Sequence, residues 1–106
     1  MAYSEDVIQR VWRKGIIIQY YAADDWRKDD CGAWIGSKYY GNRQSPYGWE
    51  IDHIQPESEA GGDELSNLRL LQWENNAGKQ DKRLVCVVTS SGNENIRTRS
   101  IKNCEH

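Results

Sequence analysis

Apolar and polar positions change rhythm several times along this chain, and each change predicts an element. In "SEDVIQRVWRKG" the apolar residues Val7, Ile8, Val11 and Trp12 recur at helical spacing. Ser4 can cap such a helix, Glu5 and Asp6 suit its positive end, and Arg13 and Lys14 fall in its last turn before Gly15. From Gly15 to Asp30 an apolar run passes into "DDWRKDD", which reads as a surface loop or short turns. "GAWIGSKYYG" carries β-type residues between glycines and "NRQSPYG" is dense in turn formers, so we expect a strand, a turn, and a second strand at "GWEIDHI". "ESEAGGDELS" is loop and "NLRLLQ" a short strand. "WENNAGKQDKR" reads as a helix of about three turns, weakened at Gly78 by roughly 1 kcal/mol relative to Ala. "LVCVVT", "SSGNEN" and "IRTRSI" form a hairpin. In its second strand Ile96, Thr98 and Ser100 alternate with Arg97, Arg99 and Ile101, a mixed face suited to an edge.

Length and composition narrow the class. A chain of 106 residues has room for one domain, residues 1–106, with a single modest core. With 38% hydrophobic and 28% charged residues it reads as soluble and globular. Five Trp and six Tyr with no Phe suit a small core with wet edges, because both side chains keep a polar handle. The apolar runs are too short to cross a bilayer, and "MAYSEDVIQR" lacks the pattern of a secretory signal. Cys31, Cys86 and Cys104 make an odd count without a C-x-x-C pair. A disulfide framework and a zinc ribbon are therefore not expected, Cys86 reads as a small core residue, and the expected compartment is a reducing cytoplasm.

A net charge of −2 argues against coating nucleic acid by bulk charge. The charge is uneven, however. Glu57, Glu59, Asp63 and Glu64 crowd one stretch, and Arg69, Lys79, Lys82 and Arg83 follow. Those four basic residues can form a phosphate-facing track or a solvated face. Arg27 and Lys28, among four aspartates, read as surface pairs.

A strand ending in Asp52-His53, a loop, a strand and a helix could together cleave a phosphodiester. The reaction needs a base for water, a divalent cation to take up charge, and rigid placement of both. Asp52 and His53 point to opposite sides of a regular strand, so one can bind a cation while the other addresses water. Asn76 can close the cation site from the helix, with Lys79 one turn on. A helix N-cap is the alternative role for Asn76, and Asn75 competes for either. Glu50, on the face of Asp52, is either an acid supporting the site or a solvated strand residue.

The stretch "EIDHIQPESEAGGDELSNLRLLQWENNAGKQDK" resembles the HNH endonuclease motif: Asp-His-Ile-x-Pro, a Gly-Gly loop, Asn-Leu, then His or Asn with a following Lys. The three named letters fall on His53, Asn67 and Asn76. The wider stretch "WRKDDCGAWI…YGNRQSPYGWEIDHI" is similar to small stand-alone members of the family. The resemblance implies an α+β fold: a ββα-metal finger, core about residues 47–83, with an N-terminal helix and a C-terminal β-hairpin. It also implies that His53 is the general base, that Asp52 and Asn76 are ligands of one Mg²⁺ or Mn²⁺ ion, and that Asn67 pins the loop that aims His53. Many relatives carry zinc-binding cysteines where this chain has Gln72 and Asn75. No structural zinc is therefore expected, and Trp49, Leu68, Leu71 and Trp73 are expected to hold the finger instead.

The expected activity is divalent-metal-dependent hydrolysis of DNA, double-stranded by preference. It should nick one strand per site and leave 5′-phosphate and 3′-hydroxyl ends, with no membrane partner. A homodimer or a partner protein would complete a double-strand cutter. Two other classes fit the same residues: a metal-dependent RNase or toxin on this finger, and a binding module that keeps the finger for shape.

Overall fold

The computed structural model describes residues 3–98. Arg99, Ser100, Ile101, Cys104 and His106 lie outside the described residues.

Helix α1 spans Glu5–Trp12, with Ser4 as its cap: the Val7 N–H donates to Ser4 Oγ at 3.2 Å. Gln9 donates to Glu5, and Arg10 pairs with Asp6, each one turn along the exposed side. The opposite side buries Val11 and Trp12 completely or nearly so.

The segment expected to be loop instead supplies two strands. β1 (Ile16–Ile17), β2 (Trp26–Lys28) and β3 (Trp34–Gly36) form an antiparallel sheet in that order. Arg27 explains the difference. It is buried, with its guanidinium donating to the carbonyls of Ala23, Arg13 and Gly15, and it lies over the Trp12 ring at 5.9 Å. It is not a surface ion pair, because the turn after α1 and the turn before β2 together present three carbonyls that need a donor. β3 therefore pairs with β2, and not with the strand at "GWEIDHI".

That next strand, β4 (Trp49–His53), pairs antiparallel with β5 (Leu68–Gln72), and α2 (Trp73–Ala77) follows directly, giving strand–strand–helix in chain order. α2 is much shorter than expected. Gly78 closes it, and the next residues make a tight turn in which Gln80 bridges Arg83, with Asp81 and Lys82 at φ 51° and 64°. β6 (Val88–Ser91) and β7 (Glu94–Arg97) form a hairpin over a two-residue turn, Gly92-Asn93. Gly92 there takes the positive φ that hairpin turns require.

The core joins these elements. Val11 and Trp12 of α1, Ile35 of β3, Trp49 of β4, and Leu68 and Leu70 of β5 make one cluster. Trp49 is its keystone, 5.4 Å from the Trp12 ring and 4.9 Å from that of Tyr40. Each such side chain contributes about 1.5–3 kcal/mol by leaving water. Leu71 is fully buried as well. Trp73, expected in the same role, is only half-buried, with its ring N–H donating to the Ser45 carbonyl and Arg43 over its face.

A second, polar hub lies where β5 runs into α2. Gln72 and Asn75 are both fully buried. The Gln72 side chain accepts the N–H groups of Glu74 and Asn75 and so caps α2. Asn75 accepts from the N–H groups of Val87 and Val88 and donates to Val88 O and to Asp29 Oδ2. Asp29, 1% exposed, also accepts from the Gln72 N–H through Oδ2, and from Cys31 and Ala33 through Oδ1. Burial pushes the Asp29 carboxyl above the usual carboxylate range, against the pull of those four donors.

Beside this hub, Cys31 and Cys86 form a disulfide, 55 residues apart in sequence. The expectation of no disulfide, and of Cys86 as a core residue inside a strand, is therefore corrected. Strand β6 begins only at Val88, and the residues before it are tied down by the disulfide and by Asn75. Closing a loop of that length should stabilise the fold by about 4 kcal/mol on a chain-entropy account. In urea titrations we expect Cys31→Ser/Cys86→Ser to lose a stability of that order, and a loss well under 1 kcal/mol would show that the cross-link is dispensable. Asp29→Asn should lose about 2 kcal/mol or more, because its new amide N–H groups would face the donors of Gln72 and Asn75.

Candidate functional site

β4 ends in the two residues singled out from sequence. Asp52 is 6% exposed, and both of its oxygens carry a cation: Arg69 Nε donates to Oδ2 at 2.9 Å, and Lys79 pairs with Oδ1. Arg69 reaches it as the directly opposed residue of β5. Lys79 comes from beyond the end of α2, after Gly78, rather than from one turn on along the helix. Asp52, His53, Glu57, Asn76, Lys79 and Lys82 line one cleft of about 400 Å³. The strand stops at His53, which lets the two adjacent side chains face that cleft although a continuing strand would separate them.

His53 is anchored by the loop that follows. Its Nε2 lies 2.6 Å from Asp63 Oδ1 and 3.7 Å from Glu57 Oε2. Among the described residues, His53, Glu57 and Asp63 form a group that could hold a metal ion, with ligand atoms all within 4.8 Å of one another. Asn67 ties the loop shut: its Oδ1 accepts the Gln55 N–H at 2.8 Å, and its Nδ2 donates to the carbonyls of Gln55 and Gly62. The backbone packs so closely here that a Cβ on Gly61 would lie 1.7 Å from the Gln55 carbonyl oxygen, which only glycine avoids. Lys14 extends from the end of α1 to the carbonyls of Leu65 and Leu68, bracing the same loop from outside.

The two asparagines of α2 separate cleanly. Asn75 is the buried hub residue and points away from the cleft, whereas Asn76 lines it. Asn76 Nδ2 donates to Glu50 Oε1 at 2.8 Å. Two guanidinium hydrogen bonds from Arg43 hold the Glu50 carboxyl below its usual range, with the Asn76 amide adding to that effect. Glu50 therefore stays ionised and keeps the nitrogen of Asn76 turned toward it. The amide oxygen of Asn76 has no hydrogen-bond donor among the described residues.

Of the four basic residues expected to meet phosphate, Arg69 and Lys79 are engaged with Asp52. Lys82 donates to Ser58 Oγ across the lip, with Glu59 nearby, and Arg83 is exposed beyond it.

A scan against protein-family models finds one match: residues 34–82 match HNH endonuclease. The chain thus holds a segment similar to HNH endonucleases. It runs from β3 through α2 to the turn bearing Lys82, and so holds Asp52, His53, Asn67, Asn76 and Lys79. No curated protein and no solved structure matches the chain. Mixed helices and small sheets agree with the α+β class of the HNH fold. None of the helices among the described residues is long and apolar enough to cross a membrane.

Sequence reasoning did not single out Asp63 and Glu57 as partners of His53. They stood out only as part of an acidic run, and the ten-residue offset from His53 to Asp63 depends on how the loop folds back. Arg43, which fixes Glu50, was hidden in a turn-rich stretch.

Asn75→Ala should therefore lose several hydrogen bonds of a dry site and destabilise the fold by about 3 kcal/mol or more. Asn76→Ala should melt near the wild type, since it gives up one bond at the rim of the cleft. Thermal melts of the two variants check this, and equal melting temperatures would contradict it. A loss of function in Asn75→Ala would then report unfolding and not a lost ligand.

Proposed function

We propose that this protein is a divalent-metal-dependent nuclease that hydrolyses DNA phosphodiester bonds at the cleft beside α2, one strand at a time. The observation that carries the reading is the convergence of Asp52, His53 and Asn76 on one cleft within the HNH segment. His53 is the general base. Its Nε2 is held against Asp63, which leaves Nδ1 with a lone pair for the proton of an attacking water. Asn67 keeps the loop closed so that the imidazole stays aimed.

The donor set suits a hard divalent cation. Asp52 offers carboxylate oxygens and Asn76 an amide oxygen, the ligand types that Mg²⁺ and Mn²⁺ prefer. Asp52 already draws cationic groups to itself, in Lys79 and Arg69. A bound ion supplies positive charge against the phosphate and the leaving oxygen. The protein residues do the rest: Asp52 and Asn76 fix the position, Glu50 orients Asn76, and Lys82 and Arg83 offer charge at the lip for the DNA backbone.

DNA is the substrate best matched to the family, and a single cleft per chain favours nicking. Two copies, or a partner protein, would be needed to cut both strands together. The Cys31–Cys86 bond would persist in an oxidising compartment. In a reducing cytoplasm the pair would stand as two thiols, leaving the Asp29 hub to hold the region alone.

Supercoiled plasmid incubated with Mg²⁺ or Mn²⁺ should become nicked circle before any linear form, and EDTA should abolish cleavage while leaving the melting temperature unchanged. Linear DNA rising without a nicked intermediate would point to paired sites, and cleavage of structured RNA with plasmid left intact would replace DNA as the substrate. His53→Ala should lose about 10²–10⁴-fold in rate. Asp52→Ala and Asn76→Ala should lose cation binding as well, whereas Asn76→His should retain cleavage, favouring Mn²⁺.

A further inference from the structure

We propose that Lys79 is a built-in counter-ion of the cation site: it holds Asp52 in the metal-free protein, is displaced when a divalent cation binds, and then turns to a DNA phosphate. Cation and DNA consequently bind with positive coupling. The proposal rests on the nuclease reading of the cleft and adds the order in which its charges change partners.

Three observations lead to it. First, neither oxygen of Asp52 is free, because Arg69 holds Oδ2 and Lys79 holds Oδ1. A carboxylate with two monovalent cations already carries surplus positive charge, and a divalent ion added on top would meet repulsion from both. Each oxygen keeps a second lone pair, so it is this repulsion that favours the departure of one of the two. Second, the partners differ in freedom. Arg69 is fixed by the strand ladder as the residue directly opposite Asp52. Lys79 follows the last residue of α2 and enters a turn with two consecutive positive-φ residues, on a long unbranched stem. It is the movable one.

Third, Lys79 lines the same cleft as His53 and Asn76, so its ammonium, once released, stays within the volume that a phosphate would occupy. Lys82, on the same lip, carries the same charge but is held by Ser58 and Glu59 instead of Asp52. It therefore contributes to the general potential of the cleft without blocking the carboxylate. The pair of lysines provides an internal comparison between a counter-ion and a bystander charge.

Mn²⁺ titration by calorimetry, without DNA, tests the idea directly. Lys79→Met should bind Mn²⁺ about tenfold more tightly than the wild type, and Lys82→Met should change affinity little. Adding a short DNA duplex in a His53→Ala background, where cleavage is slow, should tighten Mn²⁺ binding when Lys79 is present and do so much less in Lys79→Met. Lys79→Gln, which keeps a donor beside Asp52, repeats the measurement should Lys79→Met melt early. Unchanged or weaker Mn²⁺ binding in the Lys79 variants, or an equal gain in Lys82→Met, would overturn the proposal. If Asp52→Ala binds Mn²⁺ as well as the wild type does, the cation site itself is misplaced. In that case the nuclease reading falls first and the counter-ion with it.

Discussion

The Asp29 carboxylate accepts four N–H donors in a site almost closed to water, and the geometry of the cleft depends on that arrangement. The donors come from the turn before β3, from the backbone where β5 becomes α2, and from the Asn75 side chain. A buried carboxylate is costly unless it is fully hydrogen-bonded, so the three segments cannot drift apart without stranding it. Asn75 carries the constraint onward to Val87 and Val88, and Gln72 sets the direction in which α2 leaves the strand. Asn76 owes its place in the cleft to being the next residue after this fixed point.

Two layers of support thus meet at the β4–β5 pair. On one side α1 presses Val11 and Trp12 against Trp49, Leu68 and Leu70, burying apolar surface in the usual way. On the other, polar groups and a disulfide hold the start of α2 and the chain before β6. Gln72 and Asn75 stand where the resemblance places zinc-binding cysteines in many relatives. Directional hydrogen bonds and one covalent link brace this region.

Much of this was legible in the chain, for physical reasons that can be named. α1 announced itself through a cap, an apolar stripe and complementary end charges, all of them local. β5 and the turn of the hairpin were equally local. The length of α2 was misjudged because "WENNAGKQDKR" has good helix formers on both sides of Gly78, and only tertiary pairing decides that the chain turns there. β1 and β2 were hidden because Arg27 and its aspartate neighbours look like a solvated surface until the carbonyls around Arg27 are counted. The disulfide could not be read from three cysteines without a pairing pattern. For the candidate site, ordered spacing singled out His53, Asn67 and Asn76, but the contacts of Asp63, Glu57 and Arg43 arise from how loops fold back, which spacing does not encode.

The Cys31–Cys86 bond makes a ring of the chain between them, and every residue of β4, the β4–β5 loop and α2 lies inside that ring. A protease that cuts once in the exposed acidic stretch around Glu57–Glu59 would divide the cleft, with Asp52 and His53 on one piece and Asn76 and Lys79 on the other. The pieces would still be one covalent molecule, registered by the β4–β5 ladder and the buried Asp29 contacts. They would separate only when the sulfur–sulfur bond is reduced, so a nicked form would migrate as intact protein until a thiol is added.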